Sequence, residues 1–348
     1  MKPKIIVELL KETFKEWQED KASRLAAALA YYTAFSIAPL FIIAIAIAAV
    51  VFGQEAAQGG IFQQLKDLIG PEGAAAVETM IENSRKPTEG TIATIISVVI
   101  LLFGASGVFG QLQDSLNTIW EVAPKPGRGI MGFIKDRFLS FTMVLGIGFL
   151  LLVSLILSAI LAGLSNFLGG VIPGLTLLWN TLNFFISFGV ITVLFALIFR
   201  VLPDAKIAWG DVWFGAGITA LLFTIGKSLI GLYLGNSSVG STYGAAGSFV
   251  VLLLWVNYSA QILFFGAEFT QVYANKYGSR IVPAKNAIPV TEEARVQQGI
   301  PHANNSETAA TRPRNGRKSG NSGAALLNAY QRLAHQLRLN GSRRNRHR

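Results

Sequence analysis

The stretch FLSFTMVLGIGFLLLVSLILSAILAG at residues 138–163 contains no charged residue. A helix needs about 20 mainly apolar residues to cross the hydrocarbon core of a membrane, so this stretch is long enough to span it. Five further runs have the same character, at 30–52, 91–112, 176–200, 209–234 and 248–272. The sequence therefore predicts an all-α, polytopic membrane protein with six transmembrane helices. Pro39 predicts a kink or a break in the first of them.

The composition supports a membrane protein and excludes several kinds of site. Only 14% of the 348 residues are charged, whereas soluble domains carry about 25%. The chain has no cysteine, which excludes disulfides and thiolate metal sites. Its three histidines, His302, His335 and His347, all follow the last apolar run. We therefore expect no metal site, no cofactor and no catalytic residue in the membrane domain.

Lysine and arginine are unevenly divided between the two sides of the predicted bundle. Most basic residues lie in the segments that share a side with the N-terminus: 1–29, 113–137, 201–208 and 276–348. The loops on the other side, 53–90, 164–175 and 235–247, hold only Lys66, Arg85 and Lys86. Because cytoplasmic loops are enriched in basic residues, this asymmetry predicts that both termini are cytoplasmic.

Two segments outside the spans have helical periodicity. Residues 1–29 predict a cytoplasmic amphipathic helix with Leu9, Leu10, Phe14 and Trp17 on one face. This helix either lies on the membrane surface or packs on the cytoplasmic ends of the spans. The external loop 53–90 predicts two short amphipathic helices, in a solvated loop or in a cap that faces a substrate.

The C-terminal segment 276–348 is a basic tail. Residues 281–323 are rich in Asn, Ser, Gly, Pro and Arg and predict disorder, and apolar residues at helical spacing predict a short helix near 324–339. Basic residues near a membrane favour anionic lipid headgroups by about 1 kcal/mol each. The tail lacks the interleaved aromatic residues of single-strand binders, so we expect membrane lipids as partners, or a solubilising role, and no specific nucleic acid.

A lysine interrupts the fifth apolar run, in LLFTIGKSLIGLYL at 221–234. Lys227 either faces the bundle interior or extends toward the outer interface. The uncharged loop GNSSVGSTYGAAGS at 235–248 follows it. Either this loop is a flexible turn, or Lys227, Ser241 and Tyr243 form a binding site for an anionic headgroup.

A second charge lies in the sixth run, near its cytoplasmic end. Glu268 is expected about 20 Å from Lys227 along the helix axes, too far for an ion pair. Arg24, Asp114 and Arg200 are expected at the same level as Glu268. We predict that these four residues form a cytoplasmic charge cluster, as a structural lock between helix ends or as a gate or proton-coupled site.

Three stretches resemble the YihY/BrkB family of bacterial inner-membrane proteins, part of which was formerly labelled as a ribonuclease. They are RLAAALAYYTAFSIAPL at 24–40, FGASGVFGQLQDSLNTIW at 103–120 and YLGNSSVGSTYGAAGSFVVLLLWVNYSAQILFFGAEF at 233–269. The resemblance covers about 20–275. It implies six spans in the plasma (inner) membrane with both termini inside.

Three functions are compatible with these features. The first is the transport or handling of an anionic lipid or small solute, and the second is a structural or scaffold role in the envelope. The third is the ribonuclease activity of the old family label. The membrane part has no histidine, and its cytoplasmic acids form no compact sequence motif, so we expect that the protein is not an enzyme.

Overall fold

The computed structural model describes residues 3–84, 91–126, 175–236, 243 and 246–302. Residues Met1–Ile300 form one compact unit, and Pro301–Arg348 form a second. Within the described ranges the helices are α1 (Pro3–Glu19), α2 (Ala22–Phe52), α3 (Gln54–Ser84), α4 (Thr91–Ile119), α5 (Leu175–Val201), α6 (Trp209–Asn236), α7 (Gly247–Lys276) and α8 (Glu292–Gln298). The short strands are β1 (Val122–Pro124), β2 (Ala205–Lys206), β3 (Val282–Pro283) and β4 (Ala287–Pro289).

Four of the described helices, α2, α5, α6 and α7, are long and apolar enough to cross a membrane. They coincide with four of the six predicted spans, which confirms a multi-pass membrane protein. The predicted second span corresponds to α4, which is helical but is not among these four. The predicted third span, 138–163, lies outside the described residues.

The predicted N-terminal helix is shorter than expected, and the first span begins earlier. The helical structure is interrupted at Asp20 and Lys21, and Lys21 adopts a left-handed φ of 53°. Residues 22–29 therefore belong to α2. On α1, Leu9 is buried against Phe269 and Val272 of α7, whereas Phe14 is about half exposed. The helix thus packs on the end of a span and also leaves apolar side chains exposed.

Helix α2 continues through Pro39, so of the predicted kink or break, the break is wrong. The contact with α4 shows how this part of α2 is accommodated. The Ser36 hydroxyl donates a hydrogen bond to the Gly104 carbonyl over 2.6 Å. A Cβ on Gly104 would come within 3.1 Å of the Pro39 ring, so a glycine at this position lets the two helices approach closely.

Helix α3 consists of two helical arms that meet at a kink at Gly70, where φ is 77° and ψ is 168°. Both predicted short helices of the 53–90 loop are present. The expectation of a solvated loop is wrong, because the apolar side chains of both arms are buried with residues of α2 and with Leu252 of α7. This apolar cluster includes α2 residues from Ala48 to Ile37, a distance of about 17 Å along the helix.

Helices α6 and α7 are antiparallel and pack closely through small residues. A Cβ on Gly215 would overlap Thr270, and a Cβ on Gly266 would overlap Thr219. The two threonine hydroxyls donate hydrogen bonds to carbonyls of their own helices, at Gly215 and Gly266, each over 2.7 Å. These reciprocal glycine–threonine contacts fix the register of the two helices and bring their backbones close together.

The segment 281–300 folds back on the bundle. Strand β4 pairs with β1, antiparallel, with Ala123 opposite Ile288. Strand β3 pairs with β2, antiparallel, with Ala205 opposite Pro283. The predicted disorder of 281–323 is therefore wrong for 281–302, because these residues pair with connections that are distant in sequence. The rest of that stretch and the helix predicted near 324–339 lie outside the described residues.

Candidate functional site

Arg295 of α8 is a buried cation at the N-terminal face, the end of the bundle that carries α1. Its Nη2 donates to Asp20 Oδ1 over 2.6 Å, and its Nη1 donates to Glu121 Oε1 over 3.5 Å. The side chains of Arg295 and Asp20 are each only 2% exposed. Arg295 thus links the α1–α2 turn, the end of α4 and the returning segment 281–300.

The local backbone holds Arg295 in this position. Thr291 caps α8, its hydroxyl accepting a hydrogen bond from the Ala294 N–H over 3.4 Å, and Gly299 ends the helix with a φ of 76°. The Val290 N–H donates to the Glu121 carbonyl over 2.8 Å. The Lys21 ammonium donates to the Gly299 carbonyl. Both ends of α8 are therefore tied to the residues around Asp20 and Glu121.

The backbone around the buried ion pair is strained. Lys21 and Glu121 have left-handed φ values of 53° and 54° although neither is glycine. This conformation costs about 1–2 kcal/mol for such residues. Strained residues of this kind are concentrated at functional sites in proteins, where the surrounding structure maintains them.

Among the residues that the structure describes, Glu268 of α7 is the least exposed carboxyl group at this face. Its exposed fraction is 0%, and neither of its carboxylate oxygens has a hydrogen-bond partner. The charged residues that act most strongly on it are Asp20, Glu16, Arg295 and Glu121. We call Asp20, Glu121, Glu268 and Arg295 the Arg295 cluster.

Burial raises the pKa of Asp20 from its ordinary 3.8 to about 6. The Arg295 guanidinium opposes this rise by its charge and its hydrogen bond, and the carboxylates of Glu121 and Glu16 add to it. Asp20 is therefore a carboxyl group that changes its charge close to neutral pH, unlike an exposed aspartate.

A cavity of about 190 Å³ lies beside the Arg295 cluster. It is bounded by the end of α4, by β1 and by α8, and Arg295 forms part of its wall. Its other polar lining residues are Asp114, Asn117, Thr118 and Gln298. The cavity is large enough for several water molecules, so a buried charge here has polar space next to it.

The predicted cytoplasmic cluster is assembled differently from what the sequence suggests. Arg24 is exposed, Arg200 lies over the Trp209 ring at 5.6 Å, and Asp114 is exposed at the cavity. Sequence reasoning missed the charges that act most strongly on Glu268, which are Asp20, Glu16, Arg295 and Glu121. Asp20 lies at a detectable break between two helical patterns, but no local signal marks Arg295.

Lys227 lies on the side of α6 that faces the bundle. Ala216, Ala220 and Phe223 form this side, and Lys227 follows Phe223 by one helical turn. Its side chain is half-buried. The opposite side of α6 is an exposed apolar stripe that consists of Leu221, Ile225, Leu229 and Leu232. Among the described residues, no carboxylate forms an ion pair with Lys227.

Of the two other residues predicted beside Lys227, the structure describes only Tyr243. Tyr243 is exposed, and its carbonyl accepts a hydrogen bond from the Ala246 N–H. Ser241 lies outside the described residues. Glu268 lies level with Gly217 in the α6–α7 register, which separates it from Lys227 by about 15 Å along the axis. This is less than the expected 20 Å, but it is still too far for an ion pair.

The comparison with known families matches most of the compact unit. The profile of the family described as "Virulence factor BrkB" covers residues 13–290. This chain belongs to the BrkB family. The matched region includes Asp20, Lys227 and Glu268 but ends before Arg295.

Similar proteins carry the name UPF0761 membrane protein. One from Chromohalobacter salexigens is 28% identical over 272 residues, covering 76% of this chain and 62% of the relative. One from Teredinibacter turnerae is 28% identical over 293 residues, covering 82% and 65%. One from Pseudomonas aeruginosa is 29% identical over 255 residues, covering 71% and 58%. The chain thus spans less than two thirds of the length of these relatives, and no solved structure matches it.

Proposed function

We propose that this BrkB-family protein transports an anionic lipid or a small anionic solute across the bacterial inner membrane. The observation that carries the proposal is the position of Lys227, half-buried on the bundle side of α6. Charged residues within membrane spans are costly, and those that face the bundle interior mark substrate or ion pathways. The ammonium group of Lys227 suits the negative charge of a headgroup or a small anion.

The competing explanation is a lysine that only extends to the headgroup region. Lys227 lies nine residues before the end of α6 at Asn236, about 14 Å along the helix. A lysine with that role has no reason to share the stripe of Ala216, Ala220 and Phe223, which pack into the core. Its place on this stripe favours an interaction within the bundle.

Charges at two depths favour transport over static binding. Lys227 and Glu268 lie on neighbouring helices, about 15 Å apart along the axis. We place the N-terminal face in the cytoplasm, because the segments on that side hold most of the basic residues. Lys227 is then in the outer half of the membrane and Glu268 in the inner half, so that the two charges lie along one route.

We also propose that the protein is not a nuclease. Metal-dependent nucleases need carboxylates that are free to coordinate metal ions. Three of the described acids at the N-terminal face are not available in this way, because Asp20 and Glu121 are engaged by Arg295 and Glu268 is fully buried. This arrangement favours charge compensation inside a membrane protein over metal-assisted hydrolysis.

Reconstituted vesicles test the proposal with two probes. One assay follows the movement of a fluorescent phosphatidylglycerol between leaflets, and the other follows uptake of radiolabelled phosphate. In the assay in which the intact protein is active, Lys227→Met should reduce the transport rate at least tenfold. Lys227→Arg should keep part of the rate because it keeps the charge. Leu229→Met on the exposed apolar stripe of α6 is the matched control. Equal rates for the intact protein and Lys227→Met in both assays would contradict the proposal.

A further inference from the structure

We propose that Glu268 is a proton-binding site that exchanges its proton with the N-terminal face through the Asp20–Arg295 pair. The role of Glu268 as the coupling site of a proton-driven transporter rests on the proposed function. The binding of a proton by Glu268 does not. It is carried by a fully buried carboxyl group without a hydrogen-bond partner, in a span, beside other charged groups.

The first argument is the cost of an unpartnered carboxylate. Removing a polar group from water without a compensating hydrogen bond is unfavourable, and for an ionised group the cost is much larger. Arg295 is a neighbouring cation, but its hydrogen bonds go to Asp20 and Glu121 and not to Glu268. No structural bond therefore explains Glu268, whereas the binding of a cation does.

The second argument is the charge balance of the Arg295 cluster. With all acids ionised, three carboxylates face one guanidinium, and Glu16 on α1 adds a further negative charge. The cluster then has an excess of negative charge in a buried place. Uptake of one proton by Glu268 reduces that excess, so its protonation depends on the charge of Asp20.

The third argument is the kind of cation. A metal ion needs several oxygen ligands. Thr219 and Thr270, the buried threonines of the α6–α7 contact, donate their hydroxyl protons to carbonyls of their own helices. The Asp20 carboxylate is engaged by Arg295. A proton needs only one carboxylate oxygen, which Glu268 provides.

The fourth argument is that this face contains further buried polar atoms. Thr13 Oγ1, Trp17 Nε1, Trp120 Nε1 and Arg295 Nε are all buried without a hydrogen-bond partner. They lie on α1, on the turn after α4 and on α8, the elements that supply the charges around Glu268. Buried polar atoms of this kind bind ordered water, which carries protons. The cavity beside Arg295 has room for such water at the N-terminal face.

Infrared difference spectroscopy on the full chain in lipid tests the site without any substrate. The probe is the carbonyl stretch of a protonated carboxyl group, assigned to glutamate by isotope labelling of that residue. We expect this band to disappear reversibly as the pH is raised. It should shift in D₂O and be absent in Glu268→Gln. The exposed Glu82 gives the matched control, because Glu82→Gln should leave the band unchanged.

Isotope labelling of the intact chain keeps the test valid if Glu268→Gln does not fold. A second variant tests whether the band depends on the Arg295 cluster. Asp20→Asn should move the midpoint of the band to lower pH, because it removes a negative charge that acts on Glu268. A band that does not change with pH would overturn the proposal, as would the absence of any glutamate band. Loss of the band on adding Na⁺ at constant pH would also overturn it, in favour of a sodium site. A titrating band in a protein that moves neither probe would contradict only the proposed function.

Discussion

The Arg295 guanidinium donates a hydrogen bond to the Asp20 carboxylate over 2.6 Å, and the two side chains are each 2% exposed. Asp20 lies between the first two helices, and Arg295 lies on the last described helix. The pair therefore joins the two ends of the described compact unit. Arg295 also forms part of the cavity wall, and the charges of both residues act on Glu268 inside the bundle.

Removal of Arg295 should destabilise the protein strongly. Arg295→Met leaves Asp20 buried without its ionic partner, and breaking a buried ion pair in this way costs about 3–5 kcal/mol. Thermal unfolding in one detergent should show a clearly lower midpoint. Arg24→Met is the control, because Arg24 is exposed and such substitutions change stability by about 0.5 kcal/mol or less. In the double variant with Asp20→Asn, part of the loss should be recovered, and an unchanged midpoint for Arg295→Met would contradict this account.

Stability should depend on pH through Asp20. Its pKa is raised from 3.8 to about 6 in the folded protein, so the folded state binds more protons than the unfolded state between these values. The contribution of Asp20 to the free energy of unfolding should therefore fall as the pH rises from about 4 to about 6. The measurement is the difference in unfolding midpoint between the intact protein and Asp20→Asn across this range. A difference in unfolding midpoint that grows as the pH rises would contradict this prediction.

The glycine–threonine contacts between α6 and α7 should tolerate no added methyl group. A Cβ on Gly215 would overlap Thr270, and overpacking of this kind costs about 1–3 kcal/mol. Gly217→Ala is the matched control on the same helix, since a Cβ there meets nothing within 4 Å. We expect a lower unfolding midpoint for Gly215→Ala alone, and partial recovery when Thr270→Ala is added, because the Cβ of residue 270 would still lie 2.7 Å from the new methyl group. Equal midpoints for the two alanine variants would rule out the close contact.

The segment 281–300 should be required for a stable N-terminal face. A chain that ends after Arg280 loses both strand pairs and Arg295, whereas a chain that ends after His302 keeps them. The shorter chain should unfold at a lower temperature and be cleaved faster by protease, and the longer one should resemble the full chain. If transport is the function, the chain that ends after His302 should also keep it. Loss of function in the chain that ends after His302, compared with the full chain, would favour the scaffold role.

The apolar runs of the sequence predicted the described spans well. Length and hydropathy are local properties, and α2, α5, α6 and α7 lie where these runs are. The two arms of α3 could also be predicted from their periodicity. Their burial could not, because it depends on how the two arms pack against Ile37 and Ala38 of α2.

The candidate site could be predicted only in part. Glu268 stood out because it is a charge within an apolar run, and its burial follows from that position. Its neighbours did not, because Asp20 and Arg295 are 275 positions apart in sequence. The composition of 281–300 predicts disorder, and only strand pairing with β1 and β2 orders it. Long-range pairing of this kind has no local signal in a single sequence.

The most direct test of the central claim is native mass spectrometry of the intact protein and of Lys227→Met, both purified in mild detergent. The measurement identifies every anionic molecule, lipid or solute, that stays bound. We predict a specific anionic ligand on the intact protein that is lost from Lys227→Met and kept by Leu229→Met. Identical bound molecules on the intact protein and on Lys227→Met would contradict an anion site at Lys227.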